Sequence, residues 1–416
     1  MKSLLPIAFV LTLAGADRRT LPARFAWPPG LAPTTKLTLK DATAVALWNN
    51  NALDGDLAAL GVAKADLLDA GLLRNPNLWS LMPVGKKPFE LLLNWPIEEW
   101  WQRKKRVRAA QVGFDTVAKG LEQNGLNLIR DVALAHTDLW LAQRRAATLA
   151  EAAALRERIA GLVQKRREAG DAAGLEVTLA LADARSAREM AERAKADIDL
   201  AQPRLRNLLG MTGGQPLEAV TEALPAAPSP APVEEDALVE SAFTARPDLR
   251  AAELAVVAAA ERAKWQRSRF LMMLTPILSV KPAGSPLATR AAPGVQVELP
   301  IFNRNQGQIA RADAEVVQAG WRYAALRDRV EQETREAYRR AAQARQSQDQ
   351  LAAQVRPVVE ESIRQAEQAY RNGDASFLNV LEPSRARYDV ELRQLEAEAG
   401  LRRALAEVER AVGRKP

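Results

Sequence analysis

Gly170-Asp171-Ala172-Ala173-Gly174-Leu175-Glu176-Val177 returns 203 residues later as Gly373-Asp374-Ala375-Ser376-Phe377-Leu378-Asn379-Val380, with five of eight residues identical. Working outward, Asn94-Trp95-Pro96-Ile97 is answered by Glu298-Leu299-Pro300-Ile301 at an offset of 204, and Asn50-Asn51-Ala52-Leu53 by Arg246-Pro247-Asp248-Leu249 at 196. Three landmarks in the same order mean an internal duplication. Each half runs as a helix of about 35 residues, two short extended runs, a very long helix, a Gly-Asp turn and a long return helix.

The long helices set the architecture. Glu98 to Gln164 is 67 residues without a proline, with Leu126, Ile129, Val132 or Ala133, and Trp140 at helical spacing. At 1.5 Å per residue this spans about 100 Å, a length for rods and coiled coils rather than compact globules. Gln306 to Val355 reads the same way, and Pro203 is expected to kink the return helix of the first half.

The division expected is a signal peptide over 1–16, an extended segment over 17–36, a first repeat over 37–210, a Pro-rich linker over 211–235 and a second repeat over 236–414. Lys2, the apolar stretch Leu4 to Leu13 and Ala14-Gly15-Ala16 make the export signal. Leu13-Ala14-Gly15 also matches a lipoprotein box, but Ala16 stands where the acylated cysteine would be, so no lipid anchor is expected.

The extended runs alternate with a period of two. Strands are expected at about 77–83 and 89–97, and at about 271–280 and 295–301. Phe89, Leu91, Leu93, Trp95 and Ile97 share one face, as do Val295, Val297, Leu299 and Ile301, which a barrel strand between lipid and a wet lumen requires. A small soluble hairpin packed on a helix is the alternative for each strand taken singly. Pro276 falls in mid-strand, which suits an edge or a bulge. Trp79, Trp95, Trp100 and Trp101 cluster near these strands and fit either an interfacial belt or a buried aromatic core. No run of 18 apolar residues follows residue 16, so a membrane would be entered by strands alone. Four strands cannot close around a channel, and open edges cannot sit in lipid; three copies pooling twelve strands can leave an aqueous lumen.

Composition narrows the chemistry. Cysteine is absent and His136 is the one histidine, so thiol catalysis, thiolate metal sites and imidazole pairs are excluded. No phosphate loop, nucleophile elbow or His-Glu-x-x-His occurs, and neither an enzyme nor a bound cofactor or metal is expected. His136 reads as a packed or solvated histidine. The net charge of +7 comes from 58 basic and 51 acidic residues interspersed along the helices, which reads as solvated faces and not as a nucleic-acid footprint.

The chain resembles the TolC-type outer-membrane efflux proteins, including their cation- and drug-efflux branch, over about residues 37–414. The resemblance is carried by Leu37-Thr38-Leu39-Lys40-Asp41-Ala42 with Asn49-Asn50-Asn51, by Ala70-Gly71-Leu72-Leu73-Arg74-Asn75-Pro76-Asn77-Leu78, by Arg246 to Glu253, and by Leu299-Pro300-Ile301-Phe302-Asn303-Arg304-Asn305-Gln306-Gly307. It implies a mainly helical fold with a small β part: helical hairpins forming a periplasmic tunnel, and four strands per chain in a trimeric twelve-stranded barrel. It also implies a homotrimer that acts as a passive exit for small molecules or cations, partnered by a periplasmic adaptor and, through it, an inner-membrane pump. By the same match the hairpin tips, about 167–177 and 371–380, are where an adaptor docks and the tunnel narrows. The residues carried over are Arg167, Gly170, Asp171, Leu175, Val177, Arg371, Gly373, Asp374, Leu378 and Val380. Asp171 and Asp374 suit helix caps, and threefold repetition would make them carboxylate rings at a constriction. A periplasmic coiled-coil adaptor or scaffold outside the membrane is the competing reading; it would lack alternating strands.

Overall fold

The computed structural model describes residues 25–82, 89–94, 99–170, 172–211, 216–221, 235–268, 274–281, 290–297, 301–372 and 377–413. The expected signal peptide, Asp171, Gly373 and Asp374, and most of the Pro-rich stretch lie outside these. The chain divides into two compact units. The first comprises residues up to Asp54, Asn124–Arg246 and from Val330 onward; the second comprises Gly55–Gln123 and Pro247–Arg329.

The opening helix of each half is two helices. In the first half α1 (Leu39–Asn49) starts at Thr38, which forms a capping box with Asp41. It ends at Asn50, whose backbone is extended. The Asn50 Oδ1 then accepts from the amides of Ala52 (3.0 Å) and Leu53 (3.1 Å), starting α2 (Asn51–Gly71). In the second half α5 (Glu235–Ala245) and α6 (Pro247–Ser268) are parted at Arg246. Here proline does the work: it disfavours helical backbone at the residue before it and suits the first helical position. One break is made by a side-chain amide and the other by a pyrrolidine ring, at corresponding places in the repeat.

The first unit is built from hairpins. Helix α3 (Glu99–Glu168) carries no proline and runs 70 residues. Its part from Asn124 onward lies in this unit and packs antiparallel on α4 (Gly174–Leu208). Along α4, Ala180, Ala184, Ala187, Ala191 and Ala194 are buried at alternating spacings of four and three, the seam of a coiled coil with its smallest knobs. Ala160 and Val163 meet Ala180 and Ala184, and Ala153 meets Ala187 and Ala191. Helix α4 continues through Pro203 to Leu208.

The second hairpin departs from the expected uninterrupted helix. After α7 (Gln306–Gln350) a π turn spans Leu351–Val355, followed by α8 (Arg356–Arg371). Pro357 explains the widening: its ring collides with a carbonyl one turn back and supplies no N–H, and a wider turn relieves the clash. Helix α9 (Phe377–Val412) returns. It runs beside α3 along a polar ladder: Arg130–Glu407 at 3.9 Å, Asp138–Arg403 at 2.7 Å, Arg145–Glu396 at 3.0 Å and Thr148–Glu391 at 3.3 Å. Such half-exposed pairs add little energy but fix the sliding register.

A parallel pair, β1 (Lys36–Leu37) with β4 (Glu218–Ala219), lies in the first unit. Sequence reading gave no sign of it, because two-residue strands have no period; β4 falls within the stretch read as linker. Gln143 of α3 serves as a third strand, accepting from the Ala219 amide (3.0 Å) and donating to the Leu217 carbonyl (2.8 Å). Buried His136 makes a 2.8 Å bond to the Leu37 carbonyl, which also accepts from the Val220 amide at 2.9 Å. Burial is the main reason its pKa lies below the usual histidine value; the Leu37 bond opposes the shift and Arg402 adds to it. His136 is thus a packed histidine.

The second unit carries the remaining strands: β2 (Asn77–Leu81), β3 (Glu90–Asn94), β5 (Leu274–Lys281) and β6 (Arg290–Val297). They form one antiparallel sheet in the order β2-β3-β5-β6. The last strand begins at Arg290, five residues ahead of the expected 295. Arg-Ala-Ala-Pro-Gly shows no alternation, but backbone pairing with β5 needs none. Among the described residues the β3 ladder runs as far as Ile277, and Pro276 pairs with Val295 of β6.

Candidate functional site

The sheet register sorts side chains into two faces. Leu93 pairs with Leu78 and Leu278, and Leu278 with Pro293; Leu91 pairs with Ser80 and Val280, and Val280 with Ala291; Pro276 pairs with Val295. These positions form one face, apolar except at Ser80. The other face holds Asn77 with Asn94, Trp79 with Leu92 and Ser279, Leu81 with Glu90, and Gln296. Glu90 accepts from the Ser279 hydroxyl at 2.7 Å. Leu91, Leu93 and Val295, expected on the lipid side, therefore fall together on the apolar face. Phe89 sits half-buried just before β3, and Val297 pairs with Leu274 at the strand end. Trp95 and Leu299 are outside the described residues. Leu78, Leu278 and Val280 were missed by sequence reading, since only the register joins them to Leu91 and Leu93. Trp79 and Trp100 are 61% and 55% exposed, which removes the buried-core alternative for those two rings.

Among the described strands, β2 and β6 each have a neighbour on one side only. Both edges therefore present a row of backbone donors and acceptors.

The turn of the first hairpin is a second candidate surface. Helix α3 ends at Glu168 with Lys165, Arg166 and Arg167 in its last turn, where cations complement the helix dipole. Gly170 takes φ +87° and donates to the Arg167 carbonyl at 3.0 Å, a left-handed helix end suited to glycine. The cap position of α4 is Ala173, with no side-chain cap, and not Asp171 two residues earlier. The Arg167 guanidinium lies over Gly174, 2.8 Å from where a Cβ would stand. Leu175 is 69% exposed, whereas Val177 packs on the Ala160–Val163–Ala180–Ala184 cluster. Of the tip residues proposed from sequence, Arg167 and Leu175 face outward and Val177 closes the hairpin. In the second turn Arg371 is the last residue of α8, and Leu378 and Val380 lie in the first turn of α9.

No group of three or more His, Asp or Glu side chains among the described residues could hold a metal. No described helix is long and apolar enough to cross a membrane.

The outer membrane efflux protein family model matches residues 84–211 and 238–414, one segment in each half of the repeat. The chain belongs to the outer membrane efflux protein family. Its two matched segments each take in a return hairpin, and the sheet that an outer-membrane channel needs is the four-stranded one described above. Among curated proteins the chain is 26% identical over 386 residues to the cobalt-zinc-cadmium resistance protein CzcC of Cupriavidus metallidurans, covering 91% of this chain and 90% of that protein. Among solved structures the outer-membrane channel OprN superposes with a TM-score of 0.74 at 20% identity, covering 97% of this chain and 95% of that one. CusC, described for its transmembrane channel formation, gives 0.73 at 19%, covering 96% and 98%. The fold is that of these channels. The protein is an outer-membrane efflux channel, a transport protein.

Proposed function

We propose that three copies of this chain pool their sheets, β6 of one beside β2 of the next, into a twelve-stranded barrel. Through it, small molecules or cations leave passively. The observation that carries this reading is a four-stranded sheet with one apolar face and two edges unpaired among the described strands: in lipid such edges demand partners. The apolar face turns to lipid and the face with Glu90, Asn94 and Gln296 to the lumen. Large apolar side chains left exposed on one copy, among them Trp321 at 73%, would be covered by the neighbouring copies. Residues 1–16 direct export.

The helical hairpins extend into the periplasm. Their turns, with Arg167, Gly170, Asp171, Leu175, Arg371, Gly373, Asp374, Leu378 and Val380, receive a periplasmic adaptor that links the duct to an inner-membrane pump. Asp171 and Asp374 form the narrowest carboxylate rings, and Val177 supports the turn from within. Likeness to a protein named for cobalt, zinc and cadmium resistance favours divalent cations as cargo. A conduit needs no coordination site of its own for this.

The test is fractionation, extraction of membranes in mild detergent and a native mass. An outer-membrane particle of three chains is expected; a soluble periplasmic monomer or dimer would overturn the reading. For the tip, Leu175→Asp is expected to weaken adaptor capture while leaving the particle intact. Unchanged capture would remove Leu175 from the docking surface.

A further inference from the structure

Helix α3 opens at Glu99, five residues after the end of β3, and runs on through Trp100-Trp101-Gln102-Arg103-Lys104-Lys105-Arg106-Val107-Arg108. Five cations in six positions divide into two sets by the helical period. Arg103 and Arg106 turn toward the end of α2. The Arg103 Nε donates to the Gly71 carbonyl at 2.7 Å, the Arg106 Nε to the Ala70 carbonyl at 2.8 Å, and a second Arg106 nitrogen to the Leu72 carbonyl. They stopper the orphan carbonyls of that helix. Gln102 and Ala109 are buried.

Lys104, Lys105 and Arg108 lie on the opposite side within an arc of about 100°, since each residue turns the helix by about 100°. All three are exposed, and no carboxylate of the described residues stands within ion-pair distance of them. Farther along α3, Lys119 pairs with Glu122, Arg130 with Asp131, and Arg145 with Glu396. The second repeat does not copy the cluster, and Arg311 near the start of α7 is paired with Glu315. Three cations with no carboxylate partner among the described residues, in the first turns of a helix, also oppose its dipole, which favours anions there. Trp100, more than half exposed, precedes them by one turn, and an amphipathic ring at that level is the mark of a membrane interface.

We propose that Lys104, Lys105 and Arg108 form a phosphate-binding collar for anionic phospholipid headgroups, in the leaflet that meets the helical side of the sheet. This rests on the reading above that the sheet spans the outer membrane. The distances agree: Lys104 lies about 7.5 Å and Arg108 about 13 Å along the helix from Glu99, within the headgroup layer once long side chains reach back. Three copies would bring nine such cations into one ring. The collar holds the barrel at a fixed depth and favours insertion into membranes rich in anionic lipid. A cation close to an anionic surface is worth about fivefold in binding, so three per chain give a preference of about 10- to 100-fold after screening by salt.

The test uses the full chain, purified from outer membranes in neutral detergent. It is exposed to phosphatidylglycerol or to phosphatidylethanolamine, and retained lipid is counted by native mass spectrometry. Wild type is expected to retain phosphatidylglycerol preferentially, and the triple variant Lys104→Gln/Lys105→Gln/Arg108→Gln to lose that preference while keeping its native particle mass and outer-membrane location. A control variant, Arg185→Gln/Arg193→Gln/Lys195→Gln on α4, removes the same charge and should retain the preference. Wild type in the outer membrane with no preference, or equal loss in the control, overturns the collar and leaves the channel standing. Competition of the lipid by millimolar inorganic phosphate would make the ligand a free anion and also overturns it. Absence of wild type from the membrane fraction would instead sink the spanning sheet itself, and the collar with it.

Discussion

At the scale of single residues, two glycines with similar backbone angles should respond differently to the same change. Gly170 and Gly210 both have positive φ, +87° and +64°. A Cβ at Gly170 would meet nothing within 4 Å, so Gly170→Ala should cost only the strain of the left-handed conformation, about 1–2 kcal/mol. At Gly210 the Cβ would stand 2.3 Å from the Asn49 carbonyl oxygen. Gly210 also completes a Schellman end on α4: its amide bonds to the Asn207 carbonyl and the next amide, of Met211, to that of Arg206. Gly210→Ala should therefore cost several kcal/mol, adding displaced backbone to the strain. Chemical denaturation of the two variants checks the order; equal losses would mean the close approach to Asn49 is relaxed without penalty. His136 gives a pH signature. Its folded pKa is depressed and its unfolded value is near 6.5, so the unfolded segment takes up a proton first as pH falls. The contribution of neutral His136 is complete above about 6.5 and declines below it. With no second histidine in the chain, amide exchange at Val220 should quicken between pH 7.5 and 5.5 beyond the chemical rate in wild type, and not in His136→Leu. The same change in both proteins would contradict the assignment.

The alanine seam of α4 governs the hairpin at the scale of elements. Ala187 is buried among Ala153, Ala191 and Leu149, and small knobs let two backbones approach. Ala187→Leu should force the helices apart and destabilise the hairpin by about 1–3 kcal/mol, whereas Ala182→Leu on the exposed side should be nearly neutral. Limited proteolysis near the turn would report the difference; equal protection in both variants would show that the seam tolerates volume. This scale is also where sequence reading did best and then stopped. Helical period and the absence of proline over Glu98–Gln164 were legible because they extend over many turns. The helix break at Asn50 was not, since an asparagine capping the next helix is locally indistinguishable from one on a solvated face. The π turn before Pro357 escaped because proline signals a disturbance without specifying its form. The strands β1 and β4 escaped because their pairing joins residues 182 positions apart, Lys36 and Glu218. For the sheet, period two identified Leu91, Leu93 and Val295; Leu78, Leu278 and Val280 had to wait for register.

At the scale of the whole molecule the two faces of the sheet make a paired prediction. Val295 and Gln296 are neighbours in β6 on opposite faces. If the apolar face meets lipid, Val295→Lys should cost about 2–4 kcal/mol near mid-membrane and sharply reduce assembled particles in the outer-membrane fraction. Gln296→Lys should assemble normally and change only what passes. Equal behaviour of the two variants would mean that the register faces have no relation to the bilayer.

Each half of the duplicated chain also ends where it began. In the first half Leu37 pairs with Ala219, and the Asn50 side chain donates to the Leu208 carbonyl at 3.0 Å. In the second, buried Arg246 bonds to Glu333 at 2.9 Å, and its backbone lies 3.0 Å from where a Cβ on Gly413 would stand. Each half is thus a loop latched at its own base, and in the sequence the stretch between Thr221 and Glu235 falls between the two latches. Scission there opens neither loop. A chain nicked in that stretch should persist as two complementary fragments that purify together, and new termini placed there should be accepted where termini at either hairpin turn would not.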